Sequence, residues 1–340
     1  MSKATPIRVH KDESRPAAVK SRRAVVAAGC ALTASIVTSG ALGQTRYPSR
    51  PVRLVVPFPA GFSPDVVARL WGERFARATD QTVIVENRPG AGTLIAAQAV
   101  AAAPADGYTL FWTVNNTFSI NPYIYRSLPY RADDFVPITR ILSVPFVLIV
   151  SAESPIHRLG DLIRAGRASP GAMNYASSGI GTSTHVIMAR LLNTAGITMT
   201  HVPYKESYLP DVIEQRIAVA FEPSTTAIGD VRGGKVRALG VSSRSRLEVL
   251  RDVPAIAETY PEFVGESWQG IFAPKGTPGE VVAAIVEHSR LIVDAQDFRA
   301  TLTAYGLVPI GGTSAAFQQF LVEDARTWAE VVKASNITVD

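Results

Sequence analysis

From residue 52 onward, short β-branched runs alternate with helical stretches that carry one apolar face, and a chain so patterned has few folds open to it. Val52-Arg53-Leu54-Val55-Val56 reads as a strand, and the next segment sets Val67, Leu70, Trp71 and Phe75 on one helical face. Asp65, after Pro64, marks the start of that helix. Further strands are expected at 82–86, 108–113, 145–150, 173–176, 198–202, 217–221, 236–241 and 270–273, with helices at 94–103, 184–194, 209–215, 278–293 and 314–334. Repeated βα units predict mostly parallel sheets covered by helices. Beyond the first 43 residues the length reaches the size at which single cores divide, so two α/β lobes are expected, each a mostly parallel sheet flanked by helices.

The charge is concentrated at the start of the chain. Residues 1–43 hold seven of the 34 Lys and Arg but two of the 29 Asp and Glu, which leaves 27 of each beyond them. A balanced remainder gives no electrostatic reason to expect nucleic acid or an anionic membrane as partner. Arg22-Arg23 closes a basic stretch, residues 24–45 are uncharged, and Ala41-Leu42-Gly43 offers small residues before a cut at Gln44. Residues 1–43 therefore read as an export signal peptide, with a twin-arginine-like start at Ser21-Arg22-Arg23, and the expected location is periplasmic. Gly29, Thr33, Ser35, Thr38, Ser39 and Gly40 dilute the apolar stretch and argue against a membrane anchor. The single cysteine, Cys30, lies inside this leader, so the mature chain has no thiol for a disulfide, a nucleophile or a metal.

The chemistry inventory of the remainder is mostly negative. Gly229 to Lys235 has the spacing of a P-loop but ends in Val236, where a hydroxyl would have to hold Mg²⁺. Gly90-Ala91-Gly92 is followed by Ile95 at the place of a third dinucleotide-binding glycine. There is no nucleophile elbow and no His-Glu-x-x-His pair, and His157, His185, His201 and His288 stand far apart in sequence. No cofactor and no metal is expected.

What remains is a set of loops rich in backbone donors. Ser177-Ser178-Gly179-Ile180-Gly181-Thr182-Ser183-Thr184 follows a strand and opens a helix, so free N–H groups, hydroxyls and the positive helix end meet there. An oxyanion such as a carboxylate suits that spot. A tight turn with an N-cap is the plainer reading. Phe58 to Asp65, with Pro59, Gly61, Phe62 and Ser63, is a second strand-to-helix loop whose two aromatic rings could line a pocket or cap the core. Asn115-Asn116-Thr117 forms a third candidate rim.

Taken in order, these segments resemble the periplasmic solute receptors of tripartite tricarboxylate transporters, the Bug family. The matching pieces include Val56-Pro57-Phe58 with Gly61, Asp65, Ala68 and Arg69; Val85-Glu86-Asn87-Arg88; Pro104-Ala105-Asp106-Gly107-Tyr108; Asn174 to Thr182 with His185; His201-Val202-Pro203-Tyr204-Lys205; Arg237 to Val241; and Trp268-Gln269-Gly270. The resemblance spans the chain from about Tyr47 to its end. It implies a two-lobed periplasmic binding protein of the type II, Venus-flytrap kind, with residues 44–146 and 268–340 in one lobe and 147–267 in the other. It also implies hinge closure around a small organic carboxylate, delivery to membrane permease subunits, no catalysis, and a monomer. By position, the carboxylate would be held by Phe58 to Asp65 and by Ser177, Ser178, Gly179, Gly181 and Thr182, with His185, Tyr204 and Glu222 as further carry-overs; Asn115 of the third rim and Glu206, a departure from the family pattern, complete the candidate ligand-binding residues.

Three departures from the family pattern bear on the ligand: Phe62 and Glu206 where glycines are usual, and Ala218 where an aspartate is common. Phe62 adds an aromatic face, and Glu206, if it points inward, repels a di- or tricarboxylate. The expectation is thus a monocarboxylate that is aromatic or cationic, in preference to citrate. Two other classes fit the same cleft: an extracytoplasmic sensor serving a signalling receptor, and an enzyme using Asp65, His185 and Glu222 as acid–base groups.

Overall fold

The computed structural model describes residues 47–339, and the leader signals at residues 1–43 lie outside the described residues. In chain order the strands and helices begin β1 (Val52–Val56), α1 (Ser63–Thr79), β2 (Val83–Asn87), α2 (Leu94–Ala101), β3 (Thr109–Val114), a π-helical turn at Asn116–Ile120, and α3 (Asn121–Ile124). The chain continues through β4 (Phe135–Val144), β5 (Phe146–Ser151), α4 (Leu159–Ala168), β6 (Asn174–Ser177), α5 (Ser183–Ala195) and β7 (Thr200–Pro203). Then come α6 (Leu209–Ile213), β8 (Val219–Pro223), α7 (Ser224–Arg232), β9 (Val236–Val241), β10 (Ser267–Pro274), α8 (Gly279–Asp294), α9 (Gln296–Ala304), β11 (Val308–Pro309) and α10 (Ser314–Ala334).

These strands form two sheets, ordered β11-β4-β10-β3-β1-β2 and β7-β6-β8-β5-β9. The sheets are mixed, which corrects the expectation of mostly parallel pairing. Parallel pairs occur where a helix returns the chain, as in β1 with β2 and β3, and β6 with β7 and β8. The pairs made by β4, β5 and β10 are antiparallel. The reason is covalent: β4 and β5 are separated by Pro145 alone, so one strand line leaves the first sheet and enters the second without a crossover helix.

Helix α1 buries Val67, Trp71 and Phe75 of the expected face together with Ala68 and Gly72, while Leu70 of that face is half-buried. Trp71 stacks on Phe75 at 4.7 Å and donates its Nε1 hydrogen to Ser289 Oγ at 3.2 Å. Gly72 lets the helix approach β2, since a Cβ there would stand 3.1 Å from Val83 Cγ1. Anchoring α1 in this way fixes its N-terminus at the carboxyl end of β1.

The two sheets meet where β4 passes into β5 and the chain returns through β10. Ser267 pairs with Val144, while Phe146 and Ser242 exchange bonds of 2.8 Å in each direction. Gly265 N donates to Ser242 O at 2.9 Å. Two chain crossings thus run side by side at this junction.

Candidate functional site

The loop after β1 is shaped by Asp65, which is 2% exposed. Its carboxylate accepts from Gly61 N at 2.8 Å, Asn87 Nδ2 at 2.7 Å and Arg69 at 2.9–3.1 Å. Burial alone would raise its pKa, but the bonds from Arg69, Gly61 and Asn87 outweigh it and hold the group below the usual aspartate range. Asn87 also donates to Phe58 O at 2.9 Å, so the loop is pinned at both ends. Gly61 has φ +86°, a left-handed conformation that glycine adopts without strain. Phe62 occupies the N-cap of α1 with no side-chain cap, which leaves first-turn N–H groups without a side-chain acceptor, and its own ring is 58% exposed.

The loop after β6 is built from short polar side chains bonded to their own backbone. Ser177 Oγ donates to Gly179 O and accepts from Gly179 N, both at 3.1 Å. Ser178 N donates to Thr184 Oγ1 at 3.0 Å, and Thr182 Oγ1 donates to Gly179 O at 2.7 Å. The Thr182 hydroxyl is therefore spent on the loop, and as N-cap of α5 it leaves the first turn of that helix uncapped by a side chain. Gly181, at φ +75°, donates its N–H to His185 Nδ1 at 3.1 Å; a Cβ at this position would collide with Ile124.

The four histidines look dispersed in sequence, yet the β6–α5–β7 unit stacks His185 on His201 with ring centroids 3.9 Å apart and planes 9° from parallel. His201 Nε2 lies 2.7 Å from Ser177 Oγ. Burial, and for His185 also the neighbouring ring, depresses the pKa values to about 3 and about 4, so both imidazoles are neutral at ordinary pH.

Between the two loops stands Asn115, fully buried where β3 enters the π-helical turn. Its Oδ1 accepts from Ser267 Oγ at 2.6 Å and from Ser183 Oγ at 3.2 Å, whereas its Nδ2 has no partner among the described residues. Asn116 donates to Gly181 O at 3.0 Å and accepts from Ser183 Oγ at 3.1 Å. Two residues along β10, Gln269 donates to Ser63 Oγ at 3.4 Å and accepts from Trp112 Nε1 at 3.0 Å. Residues i and i+2 of a strand share a face, so Ser267 and Gln269 link the first residue of α1 to the first residue of α5. The result is two uncapped helix N-termini brought together around one unpaired amide.

Not every expected residue joins this group. The Tyr204 hydroxyl donates to Asp211, away from the loops, although Tyr204 N donates to Ser177 O at 2.9 Å. Glu206 is exposed in the bend between β7 and α6. Ala218 lies just before β8 with its N–H donated to Asn174 Oδ1 at 2.8 Å. Glu222 is largely buried, accepts from Thr226 Oγ1 at 2.5 Å, and has its pKa raised by burial. Pro59 is exposed on the loop surface. Asn87, Asn116, Ser183, Ser267 and Gln269 complete the arrangement without having been singled out as contacts; four of them stand in the segments noted above, and Ser267 in none.

Two helix-flanked sheets joined by paired chain crossings, with uncapped helix N-termini gathered at the junction, define a periplasmic binding-protein fold. The chain belongs to the tripartite tricarboxylate transporter receptor family: the family model described as "Tripartite tricarboxylate transporter family receptor" matches residues 67–337. Protein BugT of Bordetella pertussis is 31% identical over 292 residues, covering 84% of this chain and 90% of that one. The structure of R. palustris Rpa4515 with adipate has 31% identity and a TM-score of 0.78, over 86% of this chain and 99% of that one. MatC from Rhodopseudomonas palustris with bound malate has 29% identity and a TM-score of 0.73, over 84% and 100%. Among the described residues no helix is long and apolar enough to cross a membrane.

Proposed function

We propose that this chain is an exported receptor that captures a small organic carboxylate between the β1–α1 and β6–α5 loops and presents it to the membrane subunits of a tripartite transporter. The observation that carries the reading is the unpaired, fully buried Nδ2 of Asn115 beside two uncapped helix N-termini. A buried donor left unmade costs about 1–3 kcal/mol, and an arriving oxyanion would remove that cost. Neutral donors and helix dipoles suit a carboxylate without a salt bridge. Adipate and malate in the two structural relatives support this chemistry.

In this reading residues 44–146 and 268–340 make one lobe and residues 147–267 the other, and ligand contacts to both lobes raise the closed population. The Phe58-to-Asp65 loop, Asn115, Ser177 to Thr182 and His185 form or support the ligand site. The protein performs no chemistry and works as a monomer, the leader having directed it to the periplasm. Asp65 serves the loop, not proton transfer, because its oxygens already accept from three residues. The test is a thermal-shift screen of residues 44–340, stripped of co-purified ligand, against aliphatic diacids, aromatic monoacids and amines. A saturable shift with carboxylates alone is expected; a shift with amines alone would contradict the reading.

A further inference from the structure

A cavity of about 280 Å³ opens at the junction where the chain crosses between the sheets, and it shares Ser267 with the network around Asn115. Its walls come from both sides: Arg140 and Ser143 on β4, Arg190 on α5, Arg244 after β9, and Asp324 on α10. Glu266 enters it from the residue preceding β10, next to the Ser267–Val144 pairing. We infer that Glu266 is a proton-binding site built into the hinge, so that uptake of a proton favours the conformation in which this cavity is closed.

Three of the charged groups around Glu266 are already engaged elsewhere. Both oxygens of Asp324 accept indole hydrogens, from Trp268 at 2.7 Å and Trp328 at 2.9 Å. Arg140 lies over the Phe320 ring at 3.8 Å, and Arg190 donates to Glu262 O at 3.0 Å. The charges of Arg140 and Arg244 and the polar side chain of Ser143 favour ionised Glu266, and the charge of Asp324 opposes it. Glu262 and Glu323 line the mouth and are exposed. Burial dominates this balance and raises the Glu266 pKa to about 7.

The sign follows from linkage. Rotation about the crossing segments carries Arg244 and Glu262 relative to Arg140, Ser143 and Asp324 and readmits water, which returns Glu266 towards an ordinary glutamate pKa of about 4.3. The buried conformation then binds the extra proton. Its advantage is complete at and below the solvated pKa and is lost as pH rises through about 7. The closed-to-open ratio is expected to rise by about a hundredfold between pH 8 and pH 5.

This inference rests on the two-lobed reading above. Because the mature chain has no cysteine, Ala78→Cys on α1 and Ala168→Cys on α4, both at exposed positions, can carry a fluorophore pair that reports inter-lobe distance. The expected result is a distance that changes with a midpoint between about pH 4.3 and about pH 7, flat in Glu266→Gln and moved to higher pH in Arg140→Gln. An identical pH curve in Glu266→Gln would overturn the proposal. So would a distance that responds to adipate, malate or benzoate but not to pH, which would leave the receptor reading standing. A distance that responds to neither would overturn the proposal together with the two-lobed hinge on which it rests.

Discussion

His185 and His201 lie face to face, 3.9 Å apart, beneath the loop that opens α5. Burial makes protonation of either ring costly, and for His185 the neighbouring imidazole adds to that cost, which holds the pKa values at about 3 and about 4. A depressed histidine pKa means that the unfolded chain binds more protons than the folded one below pH 6.5. Stability is therefore full above about 6.5 and falls as pH drops towards the folded values, by up to about 1.4 kcal/mol per pH unit for each ring. His201→Gln is expected to remove about half of the histidine share of that slope. Urea midpoints measured at pH 7, 6, 5 and 4 in both proteins check it, and equal slopes would contradict it.

Asp65 is the organiser of the first loop. Replacing it by alanine leaves Gly61 N, Asn87 Nδ2 and the Arg69 guanidinium without their shared acceptor. We expect Asp65→Ala to lower stability by about 3 kcal/mol, as for other broken buried charge networks, and to abolish ligand binding. Equilibrium denaturation provides the first number and a thermal-shift titration the second.

Gly61 and Gly181 both have positive φ but differ in the space around them. A Cβ at Gly61 meets nothing within 4 Å, whereas one at Gly181 collides with Ile124. Gly61→Ala should cost about 1–2 kcal/mol of backbone strain alone. Gly181→Ala should cost more and also displace the loop from Asn116, which donates to Gly181 O. Comparing the two variants by denaturation and ligand titration separates strain from steric displacement.

Phe62 and Glu206 are both expected to set ligand choice, and both are exposed. Phe62 presents an exposed ring at the N-terminus of α1, so Phe62→Gly should leave stability within about 1 kcal/mol and weaken ligands with an apolar body by about tenfold. Glu206 is exposed, so Glu206→Gln should change affinity by less than about twofold. A large gain in dicarboxylate affinity from Glu206→Gln would contradict the exposed placement.

The strand–helix alternation made most of the fold legible. β1, β9 and α10 run over the spans their apolar patterns mark, and the stripe Val67, Trp71 and Phe75 is buried as its spacing requires. The patterns were silent on β4, whose ten residues are interrupted by Pro137 and Arg140 and continue into β5 past Pro145. Missing that strand is why the sheets read as mostly parallel. The site divides in the same way. Glycine and hydroxyl runs after strands marked the two loops, because free backbone donors are a local property. The stacking of His185 on His201 and the bonds from Asn115 to Ser267 and Ser183 depend on residues 16, 152 and 68 positions apart, and no local spacing encodes them.

The central claim, that a carboxylate completes the unpaired amide of Asn115, is tested most directly by titration calorimetry of the wild type and Asn115→Asp. The carboxylate to use is whichever of adipate, malate or benzoate gives the largest thermal shift. Aspartate keeps the acceptor for Ser267 and Ser183 but replaces the free donor with a negative oxygen. The account predicts one site per chain and an affinity loss of about a hundredfold or more, equivalent to about 3 kcal/mol. Equal affinities in the two proteins would contradict it.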